Sequence, residues 1–171
     1  MRRPHDDLRC AAVLAPLRET DDGLELIFTL RTGGLASHAG QVSFPGGRVD
    51  PKDGDRWDTA LREAHEELGI PGASVTRIGQ LDDLVTITHF HVSPCVGLVE
   101  PGVELVPDPS EVAHVFSVPL GLFYDPALRR SMSLLGDPHR GEVAFFMTNP
   151  HVVWGATGAM IDNLVALTAN R

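Results

Sequence analysis

The sequence predicts an α+β fold in which helices cover a mixed β-sheet. Three observations predict it: short apolar runs with strand character recur along the chain, two helical segments lie far apart, and turn residues separate these elements. The length of 171 residues suits one domain spanning 1–171, and a hydrophobic fraction of 43% is sufficient for a buried core.

The elements follow from local patterns taken in chain order. The predicted strands are 10–17, 24–31, 41–44, 74–81, 91–99, 111–118 and 142–147. A helix is predicted over 56–68, because Gly69 follows it where a C-terminal capping glycine belongs and Pro71 blocks its continuation. Loops are predicted over 32–47, which is glycine-rich, over 50–55 and over 101–109. A second helix, rich in apolar residues, is predicted over 156–168.

Composition and charge exclude several partners. Fourteen Lys and Arg against 23 Asp and Glu give a net charge of −9, which disfavours binding to nucleic acid or to an anionic membrane surface. No apolar run approaches the ~20 residues that span a bilayer. The basic start and apolar run 10–17 resemble a signal peptide, but Asp6 and Asp7 interrupt the basic part, so we predict a core strand there. Two widely separated cysteines, Cys10 and Cys95, fit a reducing compartment, and we expect a cytoplasmic protein. No feature of the sequence predicts its oligomeric state.

The helix at 56–68 has two distinct faces. With Ala60 at 0° and about 100° per residue, Glu67 lies near 340°, Glu63 near 300° and Glu66 near 240°. These three carboxylates share an arc of about 100° that borders an apolar arc of similar width. The apolar arc contains Trp57, Ala60, Leu61, Ala64 and Leu68.

Two interpretations of this acidic face are open. Like charges three and four residues apart repel one another, so the face is either solvated and relieved by Arg62, or it binds a divalent cation. Carboxylate oxygens suit Mg²⁺ or Mn²⁺, and Glu63 and Glu67 lie one turn apart, where they could hold one ion together.

The segment upstream of the helix favours the second interpretation. The sequence SFPGGRVD at 43–50 contains an adjacent glycine pair, which allows the backbone to approach a ligand or a neighbouring element closely. An acidic loop and the helix segment REAHEELG at 62–69 follow this pair. Together these residues resemble the signature of the Nudix hydrolase family: Gly47, an acid at Asp53, and then Arg62 to Ile70.

The resemblance extends to one branch of that family, the coenzyme A pyrophosphatases. Asp53 stands where most members have Glu, and eight residues separate it from Arg62, which is typical of this branch and weakens the case for Asp53 as a metal ligand. The segment LASHAGQVSFPGG at 35–47, preceded by Arg31, resembles the additional motif of the branch. A later segment, SEVAHVFSVPL at 110–120, also resembles a strand of the family.

The resemblance implies a Nudix-type α/β/α sandwich with a mixed central sheet. It also implies metal-dependent hydrolysis of the diphosphate of coenzyme A, or of an acyl or oxidised derivative, to 3′,5′-ADP and 4′-phosphopantetheine or its derivative. Mg²⁺ or Mn²⁺ would be the cofactor, with Glu63 and Glu67 as first ligands. Glu66 is the leading candidate for the general base or for a ligand of a second ion, and Arg62 is expected to orient the acids.

The candidates for substrate binding lie outside the helix. Arg31 is expected to clamp a phosphate and His38 to contact the substrate, while Gly46 and Gly47 supply either a metal-binding carbonyl or close packing beside the helix. Glu111 is either an acid that reaches the site from a later segment or an ordinary surface charge. The alternative functions are hydrolysis of another nucleoside diphosphate derivative such as ADP-ribose, a catalytically silent nucleotide-binding module, and a structural domain with a solvated acidic helix.

Overall fold

The computed structural model describes residues 8–33, 41–133 and 142–169. Within them, the larger sheet consists of β1 (Arg9–Thr20), β2 (Gly23–Arg31), β3 (Val42–Ser43), β4 (Gly46–Arg48), β5 (Val75–Gln80), β6 (Leu84–Val85), β7 (Phe90–Val99) and β8 (Val112–Pro119). A smaller antiparallel sheet consists of β9 (Arg129–Ser133), β10 (Glu142–Phe146) and β11 (Val153–Trp154). The helices are α1 (Arg56–Leu68) and α2 (Gly155–Thr168).

The larger sheet is mixed, as the sequence predicts. β1 runs parallel to β7 along the register from Arg9–Phe90 to Arg18–Val99 and antiparallel to its other neighbours. On that other edge β1 changes partner: residues 17–20 pair with β2, whereas residues 11–13 pair with β4. β1 and β2 therefore diverge, and the segment carrying β3 and β4 enters the gap, where Leu14 donates its N–H to the carbonyl of Pro45 at 2.9 Å.

Side chains of β1 alternate between two cores, which places the helices on opposite faces of the sheet. Ala12 and Leu14 pack with Ala60, Ala64 and Leu68 of α1. The other face forms a core that joins the main sheet to α2 and to the smaller sheet. It includes Ala11, Ala15, Phe28, Phe146 and Ile161. The expected α+β class, with helices on both faces of a mixed central sheet, is confirmed.

Local chemistry fixes the bounds of α1 at the predicted residues. The side chain of Asp55 accepts a hydrogen bond from the N–H of Asp58 and caps the first turn. Gly69 adopts a left-handed conformation, with φ of 69°, and its N–H reaches the carbonyls of Ala64 and His65. The predicted loop at 101–109 also lies between strands, since β7 ends at Val99 and β8 begins at Val112.

Four strands are absent from the sequence prediction. β4 contains two glycines and therefore shows no apolar alternation, β6 and β11 have two residues each, and β9 has the sequence RRSMS, which lacks an apolar pattern. β1 also continues to Thr20, three residues beyond its predicted end, because it forms a hairpin with β2 and Arg18 pairs with Glu25 across it. Among the described residues, no helix is both long enough and apolar enough to cross a membrane.

Candidate active site

The glycine pair of β4 lets α1 bring two carboxylates against the sheet. The N–H of Gly46 donates to Oε1 of Glu67 at 3.3 Å. A Cβ atom on Gly47 would lie 2.5 Å from the carboxylate of Glu63, and one on Gly46 would lie 2.5 Å from Cγ1 of Val13. Any side chain at either position would displace the strand or the carboxylate, so the glycines allow β4 to pack closely against β1 and α1.

Burial and mutual repulsion disfavour the charged forms of these two acids. Glu67 is only 3% exposed, and burial raises its pKa from 4.5 to about 7, although the Gly46 N–H and the nearby positive charge of Arg31 oppose the rise. Burial also raises the pKa of Glu63, against the opposing effect of Arg62. The charge of Glu111 contributes to both rises. The site therefore concentrates negative charge that a cation would stabilise.

Asp53, Glu63, Glu66 and Glu67 form an acidic cluster, and Arg62 connects the first three through its hydrogen bonds. Its Nε and Nη2 atoms donate to the two carboxylate oxygens of Asp53, each at 3.1 Å. Nη1 donates to Glu63 at 2.8 Å and to Glu66 at 3.2 Å, and Nη2 also reaches the carbonyl of Arg48 at 3.0 Å. The guanidinium thus lies between the carboxylates of Asp53, Glu63 and Glu66.

Asp53 faces Arg62 and supports it. Its Oδ2 also accepts hydrogen bonds from the N–H of Asp50 at 2.9 Å and from the hydroxyl of Thr59 at 2.7 Å. The bond from Arg62 is the main reason why the pKa of Asp53 lies well below its usual range. Both carboxylate oxygens are therefore engaged by the protein, and Asp53 is placed as a positioning residue for Arg62.

The remaining predicted residues occupy different surroundings. Glu66 lies on the exposed side of α1, with 55% of its side chain exposed, and touches the cluster through Arg62. Glu111 precedes β8, and its carbonyl accepts the N–H of Thr32 at 3.0 Å, which ties it to the end of β2. Arg31 is the last residue of β2, and its positive charge lies close enough to Glu67 to lower the pKa of that carboxyl. His38 lies outside the described residues.

Sequence reasoning missed two residues of this network. Thr59 is fully buried in the first half of α1, and Arg48 contributes only its carbonyl to Arg62. On the helical wheel Thr59 lies near 260°, within the acidic arc, so its angle does not indicate a buried hydroxyl. A backbone acceptor leaves no mark in the sequence.

The carboxylates of Glu63 and Glu67 suit a hard divalent cation and would fill part of its coordination shell. Among residues 8–33, 41–133 and 142–169, no three His, Cys, Asp or Glu side chains already converge to hold an ion. Mg²⁺ usually takes one or two carboxylates and completes its shell with water and substrate phosphates. Glu63 and Glu67 match that smaller requirement in number, chemistry and spacing.

Comparison with known proteins supports the family that the motif indicates. The NUDIX domain model matches residues 8–132. A Photorhabdus laumondii protein named "Uncharacterized Nudix hydrolase NudL" is 42% identical over 165 residues, which is 95% of this chain and 87% of that protein. A protein of the same name from Yersinia enterocolitica is 41% identical over 158 residues, covering 90% of this chain and 78% of that protein.

Solved structures of low sequence identity share the fold. A MutT/nudix family protein from Enterococcus faecalis aligns with all of this chain and 66% of its own, with a TM-score of 0.64 and 14% identity. A Caenorhabditis elegans Ap4A hydrolase in a binary complex has a TM-score of 0.56 and 21% identity, over 65% of this chain and 80% of that one. The NUDIX domain of Shewanella oneidensis NrtR, complexed with ADP ribose, has a TM-score of 0.55 and 16% identity, over 68% and 75%. Since the domain model covers most of the chain and the NudL proteins align with nearly all of it, the chain belongs to the Nudix hydrolase family.

Proposed function

We propose that this Nudix hydrolase cleaves the diphosphate of coenzyme A, or of an acyl or oxidised derivative, in the cytoplasm and with Mg²⁺ or Mn²⁺. The products would be 3′,5′-ADP and 4′-phosphopantetheine or its derivative. The support for this substrate is the segment 35–47 together with the lengthened loop between Asp53 and Arg62, both typical of coenzyme A pyrophosphatases. The observation that carries the hydrolytic chemistry is that Glu63 and Glu67 lie against β4, where burial makes their charged forms unfavourable.

The proposed roles follow from the position of each side chain. Glu63 and Glu67 would hold the ion, since they are the two acids that burial and repulsion make least favourable without one. The bound ion would neutralise phosphate charge and lower the pKa of a bound water. Arg31, near Glu67, would bind the negative oxygens of the substrate.

Hydrolysis also needs a group that removes a proton from the attacking water. The oxygen of the water bonds to one phosphorus, the bridging P–O bond breaks, and the bridging oxygen leaves with the other phosphate. Glu66 is our proposed acceptor of the proton, or a ligand of a second ion, because it adjoins the cluster and keeps access to solvent. Arg62 would keep Glu63 and Glu66 in place throughout.

ADP-ribose is the second candidate substrate. One structure of the same fold was solved with ADP ribose and another is named as an Ap4A hydrolase. Both compounds contain adenosine joined through a phosphoanhydride, as coenzyme A does. The shared bond means that the acidic cluster alone does not select among these substrates, so the selection must come from residues that contact the rest of the molecule.

Substrate profiling tests the proposal. Purified protein is incubated with coenzyme A, ADP-ribose and Ap4A, each with Mg²⁺ and with Mn²⁺, and the products are separated. We expect coenzyme A to give the highest kcat/KM, with 3′,5′-ADP as one product. Preference for ADP-ribose or Ap4A would overturn the substrate assignment, and no turnover of any compound would favour the silent binding module.

A further inference from the structure

A second cluster near the acidic site carries positive charge. The guanidinium of Arg9 lies 4.1 Å from the centre of the Phe90 ring, and that of Arg48 lies 5.4 Å from the same centre. Two cations thus share one aromatic ring, which attracts each of them electrostatically. We call Arg9, Arg48 and Phe90 the arginine pair site.

The charges of the arginine pair site lack a carboxylate partner among the described residues. None of the ion pairs formed within those ranges includes Arg9 or Arg48. Arg9 donates from Nη2 to the carbonyl of Thr88 at 3.0 Å, which fixes the guanidinium without neutralising it. In a chain of net charge −9, two adjacent and exposed arginines without such a partner are suited to an anion.

The strand register brings the arginine pair site next to the acidic cluster. Arg9 pairs with Phe90 between β1 and β7, and Arg48 pairs with Ala11, two residues further along β1. Successive residues of a strand point to opposite faces, so Arg48 points away from the side on which Gly47 meets Glu63. The carbonyl of Arg48 accepts a hydrogen bond from Arg62 at 3.0 Å, so the backbone of β4 lies between the arginine pair site and the acidic cluster.

We propose that the arginine pair site binds a phosphate monoester carried by the nucleoside half of the substrate. This inference rests on the proposed function, since coenzyme A carries such a group on the 3′-oxygen of its ribose. The 3′-phosphate and the 5′-diphosphate are attached to one sugar ring. A ligand with its diphosphate at Glu63 and its second phosphate at Arg48 would pass alongside β4, which carries both Gly47 and Arg48. Guanidinium groups bind phosphate oxygens with paired, charge-assisted hydrogen bonds.

The proposal assigns substrate selection to residues outside the signature helix. ADP-ribose lacks a 3′-phosphate, so the arginine pair site would favour coenzyme A over that competitor. Because Arg9 and Arg48 are exposed, the preference should weaken as ionic strength rises. The catalytic carboxylates would then act on any phosphoanhydride that the arginine pair site retains.

Binding measurements on the whole protein separate this proposal from catalysis. Calorimetric titration compares 3′,5′-ADP with 5′-AMP, which differ only in the 3′-phosphate, and inorganic phosphate serves as a free anion. We expect the wild type to bind 3′,5′-ADP about tenfold more tightly than 5′-AMP. In the double variant Arg9→Gln, Arg48→Gln that ratio should fall to about one, with binding of 5′-AMP unchanged.

Control variants make the result specific. Arg130→Gln removes another exposed arginine, whose Nη1 atom donates to the carbonyls of Ala127 and Arg129, and it should keep the tenfold ratio. The variant Arg9→Lys, Arg48→Lys keeps the charge and should retain an intermediate ratio. Thermal unfolding verifies that each variant is folded, and the lysine variant provides the comparison if the glutamine variant is not.

The outcomes distinguish this proposal from the proposed function. Equal affinity of the wild type for both nucleotides, or an unchanged ratio in the glutamine variant, would overturn the arginine pair site even if coenzyme A is hydrolysed. Competition by millimolar inorganic phosphate that lowers the affinities for both nucleotides equally would also overturn it, since it would indicate a general anion site. A ratio that depends on the arginines in a protein that does not hydrolyse coenzyme A would support the binding site and refute the proposed function.

Discussion

Replacing Glu67 by Gln should stabilise the metal-free protein at alkaline pH. In the folded protein burial raises the pKa of Glu67 from 4.5 to about 7, so ionisation is more costly there than in the unfolded chain. At 1.36 kcal/mol per pKa unit the cost reaches about 3 kcal/mol once both states are ionised. Gln keeps the oxygen that accepts the Gly46 N–H but carries no charge, so Glu67→Gln removes the cost.

The sign of the pH dependence follows from proton binding. Between pH 4.5 and 7 the folded protein binds more protons at Glu67 than the unfolded chain does, so stability falls as pH rises through this interval. Wild type and Glu67→Gln should have nearly equal unfolding temperatures near pH 4.5. Above pH 8 the variant should unfold roughly 6–12 °C higher, at 2–4 °C per kcal/mol for a protein of this size.

Calorimetric or fluorescence melts in a chelating buffer measure this difference. Glu66→Gln is the matched control, because its exposed side chain bears no comparable burial cost and should give no gain at high pH. Saturating Mn²⁺ should stabilise the wild type but not Glu67→Gln. Turnover by Glu67→Gln should fall about a hundredfold or more, the scale expected for the loss of a charge that stabilises the transition state. A stability difference that is the same at pH 5 and pH 8 would refute this account of Glu67.

Three other substitutions test the rest of the site. Gly47→Ala should reduce kcat more than tenfold, because its Cβ would lie 2.5 Å from the carboxylate of Glu63, whereas Gly121→Ala, which meets nothing within 4 Å, should leave kcat unchanged. Asp53→Asn should lower kcat by weakening the hydrogen bonds between residue 53 and Arg62, which also donates to Glu63 and Glu66. It should also remove the part of acid denaturation that comes from the low pKa of Asp53, as urea titrations below pH 4 would reveal. Arg31→Gln should raise KM for the diphosphate substrate by about tenfold with a smaller change in kcat. Steady-state kinetics decide each case, and unaltered parameters would remove the residue from the site.

Local chemistry explains why the sequence predicts α1 so well. Its ends depend on Asp55 and Gly69, which act within one helical turn and need no information about the rest of the fold. The strand β4 is the opposite case. Its formation depends on β1 and β2 diverging, a contact between distant segments that two glycines and an arginine do not encode locally.

The same distinction between local and long-range contacts applies to Glu111. Its approach to Glu63 and Glu67 depends on how the loop before β8 is tied to the rest of the fold. In that loop the N–H groups of Val106 and Asp108 bind the last carbonyls of α1, those of Leu68 and Glu67. Both contacts are hydrogen bonds between backbone atoms, so no pattern of side chains in the sequence predicts them. The sequence alone therefore slightly favours an ordinary surface charge for Glu111, whereas in the fold its negative charge raises the pKa of Glu63 and of Glu67.

Helical angle and burial rank the three glutamates of α1 in the same order, and burial differentiates their chemistry. Glu67, at about 340°, is nearest the apolar arc, Glu63 lies at about 300°, and Glu66, at about 240°, is farthest away. Their exposure increases in that order: 3% for Glu67, then 16% and 55% for the side chains of Glu63 and Glu66. A buried carboxylate needs a cation more than an exposed one does, while an exposed carboxylate can exchange protons with solvent. The three acids of α1 thus differ in burial. Removal of a bound metal should therefore destabilise the folded protein mainly through the charge of Glu67, the most buried of the three.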